Sequence, residues 1–360
     1  MEACTRVRKR KSVLITGSAG FIGHHLMQAL QQHPYEVVGL DNINDYYDPD
    51  LKYARLAKQG FKRLEIESGN LVESQLNKNF SFIRLDLSDK TVLEQLFGAR
   101  RFDVVVNLAA QAGVAYSLEN PMAYVESNLV GFANLLEVCR KYPVKHFLFA
   151  SSSSVYGENA EIPFSVDHVT DRPVSFYAAT KKANEVMAYS YAHLYKIPTT
   201  GMRFFTVYGP WGRPDMSYFS FAKSIIEGQP IQLYNQGNMW RDFTYVGDVT
   251  AAIVKLLKAA PKSKAGHKAS APYRLYNIGN NQPVQIMELV AALERRLQMK
   301  ANLELMPMRP GDVPVTYANV DALVAAIGYR PRTTLKQGID LFMNWFEGYY
   351  AEHKVGTQKV

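Results

Sequence analysis

The sequence predicts an α/β fold: a Rossmann-type, doubly wound parallel sheet joined to a smaller mixed α/β domain. Three observations point to it. Short runs of β-branched and aliphatic residues alternate with helical stretches from Ser12 to Ser151, the pattern of a parallel sheet covered on both faces. A glycine-rich turn, Gly17 to Gly23, falls where the first strand meets the first helix. At 360 residues the chain is long for one hydrophobic core, and the alternation loosens after Phe205.

The expected strands are Ser12 to Thr16, Glu36 to Leu40, Phe80 to Leu85, Asp103 to Leu108 and Lys145 to Ser151, with a sixth from Thr199 to Phe205. Between the second and third, the charged segment Asn44 to Asn79 is expected to form one or two surface helices. The longest helix runs from Pro121 to Tyr142. Proline is tolerated in a first turn, and Leu129, Phe132, Leu135, Leu136 and Cys139 recur at helical spacing. Another long helix carries Tyr177 and continues without Gly or Pro until Pro198. Gly209-Pro210-Trp211-Gly212-Arg213-Pro214 is a loop by its turn chemistry, with a helix to follow over Tyr218 to Glu227. Lys258 to Arg274, rich in Lys, Ala, Ser and Pro, reads as an exposed loop. Further helices are expected near Val284 to Leu297, Asp321 to Ile327 and Leu335 to Tyr350.

Composition narrows the function classes. Hydrophobic residues at 47% and charged residues at 21% are ordinary for a globular protein. The formal net charge of +8 is concentrated at the start, where Arg6, Arg8, Lys9, Arg10 and Lys11 face only Glu2. No basic module interleaved with aromatics appears, so a nucleic-acid partner is not expected, and the residual charge suits a polyanionic small substrate. No apolar run spans a bilayer and no signal core follows the basic start, which places the expectation in the cytoplasm without a membrane. Two cysteines, Cys4 and Cys139, make neither a disulfide framework nor a metal site.

The chemistry concentrates at strand ends. In Thr16-Gly17-Ser18-Ala19-Gly20-Phe21-Ile22-Gly23 the glycines permit a tight turn and let backbone approach a pyrophosphate at a helix N-terminus. Asp41 ends the second strand, with Asn42 beside it, where an acid takes the ribose hydroxyls of a dinucleotide. Its charge repels a 2'-phosphate, so NAD is expected over NADP. Asp86, ending the third strand with Leu87 after it, is placed to meet adenine. Leu108-Ala109-Ala110-Gln111 ends the fourth with small residues that let a cofactor lie along the backbone. Ser151-Ser152-Ser153-Ser154 ends the fifth. Tyr177 and Lys181, four apart on a helix, point into one space, where a cation favours the phenolate. An isolated Tyr-x-x-x-Lys spacing is also what any amphipathic helix can carry; its partners at the strand ends give it meaning.

Together these residues resemble the extended short-chain dehydrogenase/reductase superfamily. The resemblance covers nearly the whole chain and sharpens at Asn44-Asp45-Tyr46-Tyr47-Asp48, at Ala109-Ala110-Gln111-Ala112-Gly113-Val114, and along Met202 to Met216, a run similar to that of the UDP-glucuronate 4-epimerases. It implies NAD as cofactor and a UDP-sugar as substrate. Ser152 matches the catalytic Ser/Thr, Tyr177 the base, and Lys181 its activator and ribose ligand. Asn128 and Phe204 match the cofactor's surroundings. Arg241 and Arg309, with Tyr234 and Asp312, match positions around the nucleotide. Thr206 and Arg213 match the loop facing the sugar, with Ser153 and Ser154 opposite; an Arg there can grip a carboxylate through paired hydrogen bonds. The implied division is a basic tail over 1–11, an NAD-binding domain over 12–205 plus about 242–279, a UDP-sugar domain over 206–241 plus about 280–350, and a tail over 351–360. A homodimer through helices 121–142 and 175–196 is implied as well.

The implied reaction removes the proton of a sugar 4-hydroxyl at Tyr177 while hydride leaves C4, then reverses on the opposite face. The sequence departs from the pattern twice: Ala115 stands where these epimerases carry Arg, and Gly247 where they carry Asp. Neutral-sugar 4-epimerisation is therefore the nearest rival. Ser153 and Ser154 argue against a 4,6-dehydratase, since they stand where those enzymes typically carry an Asp-Glu pair. The Thr206 to Met216 loop argues against a decarboxylating synthase. A silent NAD-binding regulator is opposed by the intact Ser152, Tyr177 and Lys181.

Overall fold

The computed structural model describes residues 10–263 and 270–357. The first half builds one sheet and its helices: β1 (Lys11–Thr16), α1 (Phe21–Leu30), β2 (Tyr35–Asp41), α2 (Pro49–Ala57), β3 (Leu71–Glu73), β4 (Phe80–Arg84), α3 (Lys90–Ala99) and β5 (Val104–Asn107). Two single-turn helices follow, α4 (Tyr116–Glu119) and α5 (Pro121–Tyr124), then α6 (Gly131–Lys141), β6 (His146–Ser152), α7 (Phe176–Tyr195) and β7 (Thr199–Phe204). The remainder comprises β8 (Thr206–Tyr208), α8 (Ser217–Glu227), β9 (Pro230–Leu233), β10 (Trp240–Tyr245), α9 (Val246–Leu256), β11 (Tyr273–Ile278), β12 (Pro283–Gln285), α10 (Ile286–Leu297), β13 (Asn302–Leu305), α11 (Asp321–Ile327) and α12 (Leu335–Thr357).

Eight strands form the main sheet in the order β11-β7-β6-β5-β1-β2-β4-β3. All pairs are parallel except β3 with β4, whose register sets Val72 opposite Phe82. Apolar side chains fill both faces: Val13, Ile15, Val37 and Phe82 pack on one side with α1 and α9, and Leu14, Val38, Val105 and Phe147 on the other with α3 and α6. This double coverage is why the strands read as continuous apolar runs. A separate core, built on Tyr218, Phe219, Leu289, Leu293, Phe342 and Phe346, lies among α8, α10 and α12. A three-stranded sheet, β12-β10-β8, and a pair, β13-β9, accompany it.

Several expectations need correction. The charged segment after Asn44 holds one α-helix, a short 3₁₀ turn over Arg63–Glu65 and the edge strand β3. The helix expected over Pro121 to Tyr142 is broken by a π-helical turn at Val125–Val130. There the chain carries Asn128 inward, and extra backbone in a helix is characteristic of functional positions. Val284 lies in β12, and α10 starts at Ile286 behind a capping box in which Gln285 and Glu288 serve each other's backbone. The loop expected over Lys258 to Arg274 falls partly outside the described residues, as do Cys4 and most of the basic tail. Its last residues, from Tyr273, open β11. Cys139 is a buried free thiol in the core. Among the described residues no helix is long and apolar enough to cross a membrane, and no cluster of metal-ligating residues occurs.

Candidate active site

Every residue expected to bind or react lines one cavity of about 900 Å³, with Asn128 the exception. The cavity lies at the carboxyl ends of β1, β2, β4, β5, β6 and β7, where open parallel sheets hold their ligands.

At its floor the first turn is shaped by what a side chain would strike. A Cβ on Gly23 would sit 2.1 Å from the Gly17 carbonyl oxygen, and one on Gly17, at φ +70, would meet the Ala109 nitrogen at 2.7 Å. Turn, helix and neighbouring strand therefore touch through backbone. Gly20 differs: a Cβ there would meet only Gly17, so its other side opens to the cavity. Gly20 caps α1 without any side-chain hydrogen bond, leaving the first-turn N–H groups of Phe21 and Ile22 aimed outward. Such an open helix start has the shape and polarity that suit a pyrophosphate. Asp41 is held by the Ala19 N–H at 3.1 Å and the Ile43 N–H at 2.8 Å, which fixes the carboxylate at the cavity edge. Asn42 donates to Asp86 at 2.7 Å, and Ser88 donates from backbone and hydroxyl to the same acid. Burial alone would raise the Asp86 pKa; these hydrogen bonds outweigh it and bring it below the ordinary value.

Across the floor, Thr16 Oγ1 bridges β1 to β5, donating to Asn107 at 2.6 Å and accepting the Ala109 N–H at 3.1 Å. Leu108 to Gln111 are thereby held along the wall. Asn128 works from behind it. Its side chain accepts from the Gln111 N–H at 2.8 Å and donates to the Gln111 carbonyl and to Thr180 Oγ1, both at 3.0 Å. It supports the wall rather than lining it. Thr180 follows Tyr177 on α7, so Asn128 ties wall to helix.

Ser152 ends β6, with its hydroxyl accepting from the Ser154 N–H and donating to Ser154 Oγ, each at 3.1 Å. Ser175 caps α7 by accepting from the Ala178 N–H, and one turn on, Tyr177 and Lys181 share the face toward the cavity. Burial raises the Tyr177 pKa, while the Ser152 hydroxyl and the Arg213 charge oppose the rise. The Lys181 ammonium donates to the Ala150 carbonyl at 3.0 Å and stands 6.0 Å from the Tyr177 ring centroid. Burial lowers the Lys181 pKa to about 8, leaving it a cation at neutral pH.

The far half of the cavity is aromatic and cationic. Thr206 opens β8 at its wall with Phe204 beside it, and Arg213 reaches in from the loop after Gly209. Arg241 donates to Asp312 at 2.8 Å, and Arg309 stacks 4.0 Å over the Tyr234 ring. Tyr46 and Tyr116 stand 4.8 Å apart, and Tyr124 lies 6.0 Å from Tyr177.

Tyr46, Tyr47, Lys52, Tyr116 and Asp215 line the cavity but carry no signal in periodicity; only the runs Asn44 to Asp48 and Met202 to Met216 mark three of them. Arg55 is a further surprise. It is wholly buried and donates to the Ala19, Trp211 and Gly212 carbonyls and to the Tyr47 hydroxyl, tying the glycine turn to the Arg213 loop. Of the two departures, Ala115 lies in the cavity wall beside Tyr116. A Cβ at Gly247 would meet the Tyr245 ring at 2.7 Å, so that aromatic fills the place of a side chain.

A parallel sheet with this glycine cradle, an acid at the end of β2 and a Ser-Tyr-Lys constellation over the floor defines a dinucleotide-dependent enzyme of the Rossmann class. Residues 13–279 match the model of the NAD dependent epimerase/dehydratase family, and the chain belongs to that family. Protein CapI of Staphylococcus aureus is 49% identical over 348 residues, spanning 94% of this chain and 99% of that protein. UDP-glucuronate 4-epimerase 2 of Arabidopsis thaliana is 45% identical over 366 residues, spanning 99% of this chain and 80% of that protein. Among solved structures, UDP-glucuronic acid 4-epimerase from Bacillus cereus in complex with UDP-glucuronic acid and NAD aligns with a TM-score of 0.82 at 31% identity, over 94% of this chain and 100% of that one.

Proposed function

We propose that this enzyme interconverts a UDP-hexuronic acid and its C4 epimer, UDP-glucuronate and UDP-galacturonate, with NAD as a recycled cofactor. The observation that carries it is the placement of Arg213 and Tyr177 on the wall of one cavity. A base for a sugar hydroxyl and a cation for a sugar carboxylate face the same space.

Gly17, Gly20, Phe21, Ile22 and Gly23 would hold the NAD pyrophosphate, Asp41 a ribose, and Asp86 with Leu87 the adenine end. When bound, NAD supplies the hydride acceptor and donor for carbon C4. Tyr177 takes the 4-hydroxyl proton and later returns it, with Ser152 holding the same oxygen. Arg241, Arg309, Tyr234 and Asp312 would take the uridine diphosphate. A 4-keto hexuronate is a β-keto acid, which loses carbon dioxide when the electrons of its carboxylate bond can flow into the ketone. Arg213, with Thr206 and the Ser153 and Ser154 hydroxyls, is read as holding the carboxylate out of that alignment.

The domain division given above, with the sugar-binding unit formed by 206–241 and about 280–350, is part of this reading. So is a homodimer through the helices at 121–142 and 175–196, supported by exposed Met122, Val130, Val186, Tyr189 and Leu194 on those segments. A cytoplasmic location is the matching expectation. Neutral-sugar epimerisation is the second reading, favoured by Ala115, which puts no charge in the wall. Incubation with UDP-glucuronate, UDP-galactose and UDP-N-acetylglucosamine, with the epimers resolved by chromatography, decides between them. UDP-galacturonate from UDP-glucuronate is expected; turnover of the neutral sugars alone would sink the uronate assignment.

A further inference from the structure

Arg213 already has a carboxylate. Its Nε donates to Asp215 Oδ1 at 3.0 Å and its Nη2 to Asp215 Oδ2, so one edge of the guanidinium is fully engaged. The opposite side is not. Beyond Asp215, Nη2 reaches the Ala112 carbonyl at 3.5 Å, and Nη1 has no hydrogen-bond partner among the described residues. Asp215 is held in turn by Tyr46, whose hydroxyl donates to Oδ2 at 3.2 Å. The Tyr46 ring packs against Tyr116 and lies 5.9 Å from the Arg213 guanidinium carbon. All four residues line the cavity.

A guanidinium is planar and rigid, with its N–H donors in a fixed fork, but the stem that carries it is flexible. Fixing one edge fixes the plane, and with it the direction of the donors that remain. A second carboxylate can then be met by the Nη1 side without expelling the first. We propose that Asp215, oriented by Tyr46, is a positioning residue that sets the Arg213 fork so that its Nη1 edge receives the sugar carboxylate. This rests on the reading of Arg213 as the uronate ligand. A neutral hexose makes no use of that edge, so the pair acts on acidic substrates alone.

The test is Asp215→Asn, close in size but with one acceptor atom where the carboxylate offers two to the Arg213 fork, with Tyr46→Phe, Asp215→Glu and Arg213→Ala beside it. Thermal melts confirm that each folds. For Asp215→Asn the KM for UDP-glucuronate should rise roughly fivefold or more, and the share of decarboxylated UDP-pentose product should rise similarly. Affinity for UDP alone should stay at the parent value. Tyr46→Phe should move the same two quantities less, and Asp215→Glu should recover part of the loss. Parent-like KM and parent-like pentose in Asp215→Asn overturn the proposal, as does a lowered KM, which would make Asp215 a competitor of the substrate. Arg213→Ala separates the two failures. If it also behaves as the parent, the uronate reading of Arg213 falls; if it alone loses uronate binding, only the role of Asp215 does.

Discussion

Arg203 and Glu185 form a two-pronged ion pair in the interior, with Nε and Nη2 each donating to one carboxylate oxygen at 2.8 Å. The Arg203 and Glu185 side chains are 2% and 4% exposed. Glu185 lies one turn beyond Lys181 on α7, Arg203 is in β7, and Ser151 of β6 donates to the same carboxylate at 2.6 Å. Three elements that carry the proposed chemistry are thus locked in register. Glu185→Leu leaves a buried guanidinium without its anion and should cost about 3–5 kcal/mol in urea unfolding. The double variant Glu185→Leu with Arg203→Met should recover much of that loss, since two apolar groups replace two charges. A double variant no more stable than the single one would refute this account.

Tyr177→Phe removes the proton acceptor and leaves the ring in its place against Tyr124. Turnover of UDP-glucuronate should fall by about 10²–10⁴, while NAD content, read from the absorbance of the denatured protein, stays at the parent level. Ser152→Ala should cost less. A Tyr177→Phe enzyme with more than a tenth of parent turnover would place the base elsewhere.

Arg55 is a buried cation whose acceptors are three carbonyls and a phenol, with no carboxylate among them. Replacement by Met orphans those oxygens, each at about 1–3 kcal/mol. Because Ala19 and Gly212 belong to the glycine turn and the Arg213 loop, both given binding roles in the proposed function, the loss should appear both in melting temperature and in weakened UDP-glucuronate binding. Arg55→Lys, which lacks the planar fork, should restore only part of either. A variant that melts lower yet binds substrate as the parent does would confine Arg55 to stability.

The sheet is legible because strands covered on both faces carry continuous apolar runs, as residues 104–106 and 147–150 do. Gly17 is legible for a different reason: at φ +70 against the Ala109 backbone it meets a local geometric demand that few residue types satisfy. What stays hidden depends on distant partners. Leu71–Glu73 is a three-residue edge strand in a charged segment, specified only by its neighbour Phe80–Arg84. The π turn around Asn128 keeps the same apolar spacing a regular helix would show. Arg55 looks like a surface residue until carbonyls from two remote loops close around it. Asp215 gains its meaning only from the Arg213 edge it occupies and from Tyr46, far away in the chain.

Stability should fall in acid through buried histidines. His146 pairs by Nε2 with Thr200 Oγ1 at 2.8 Å, while its Nδ1 is buried with no hydrogen-bond partner among the described residues. Burial pushes its pKa down to about 4, opposed by the Leu257 backbone and aided by the Lys11 charge. His25, held at the Pro210 carbonyl, is also lowered to about 4, again chiefly by burial. His24 is lowered too, first by burial and then by the charges of His25 and Arg55. In the unfolded chain these imidazoles titrate near pH ~6.5. Between ~6.5 and ~4 the unfolded state therefore binds more protons than the native one, and stability drops as pH falls through that window. Above it the contribution is complete. For His146 the full effect is about 3 kcal/mol. Carboxylates titrate near the lower limit as well, so the useful measurement is a difference. Urea unfolding of the parent and of His146→Leu, followed from pH 7.5 to pH ~4, should show the variant losing less stability by about that amount. Parallel curves would mean that His146 is not a source of the acid sensitivity.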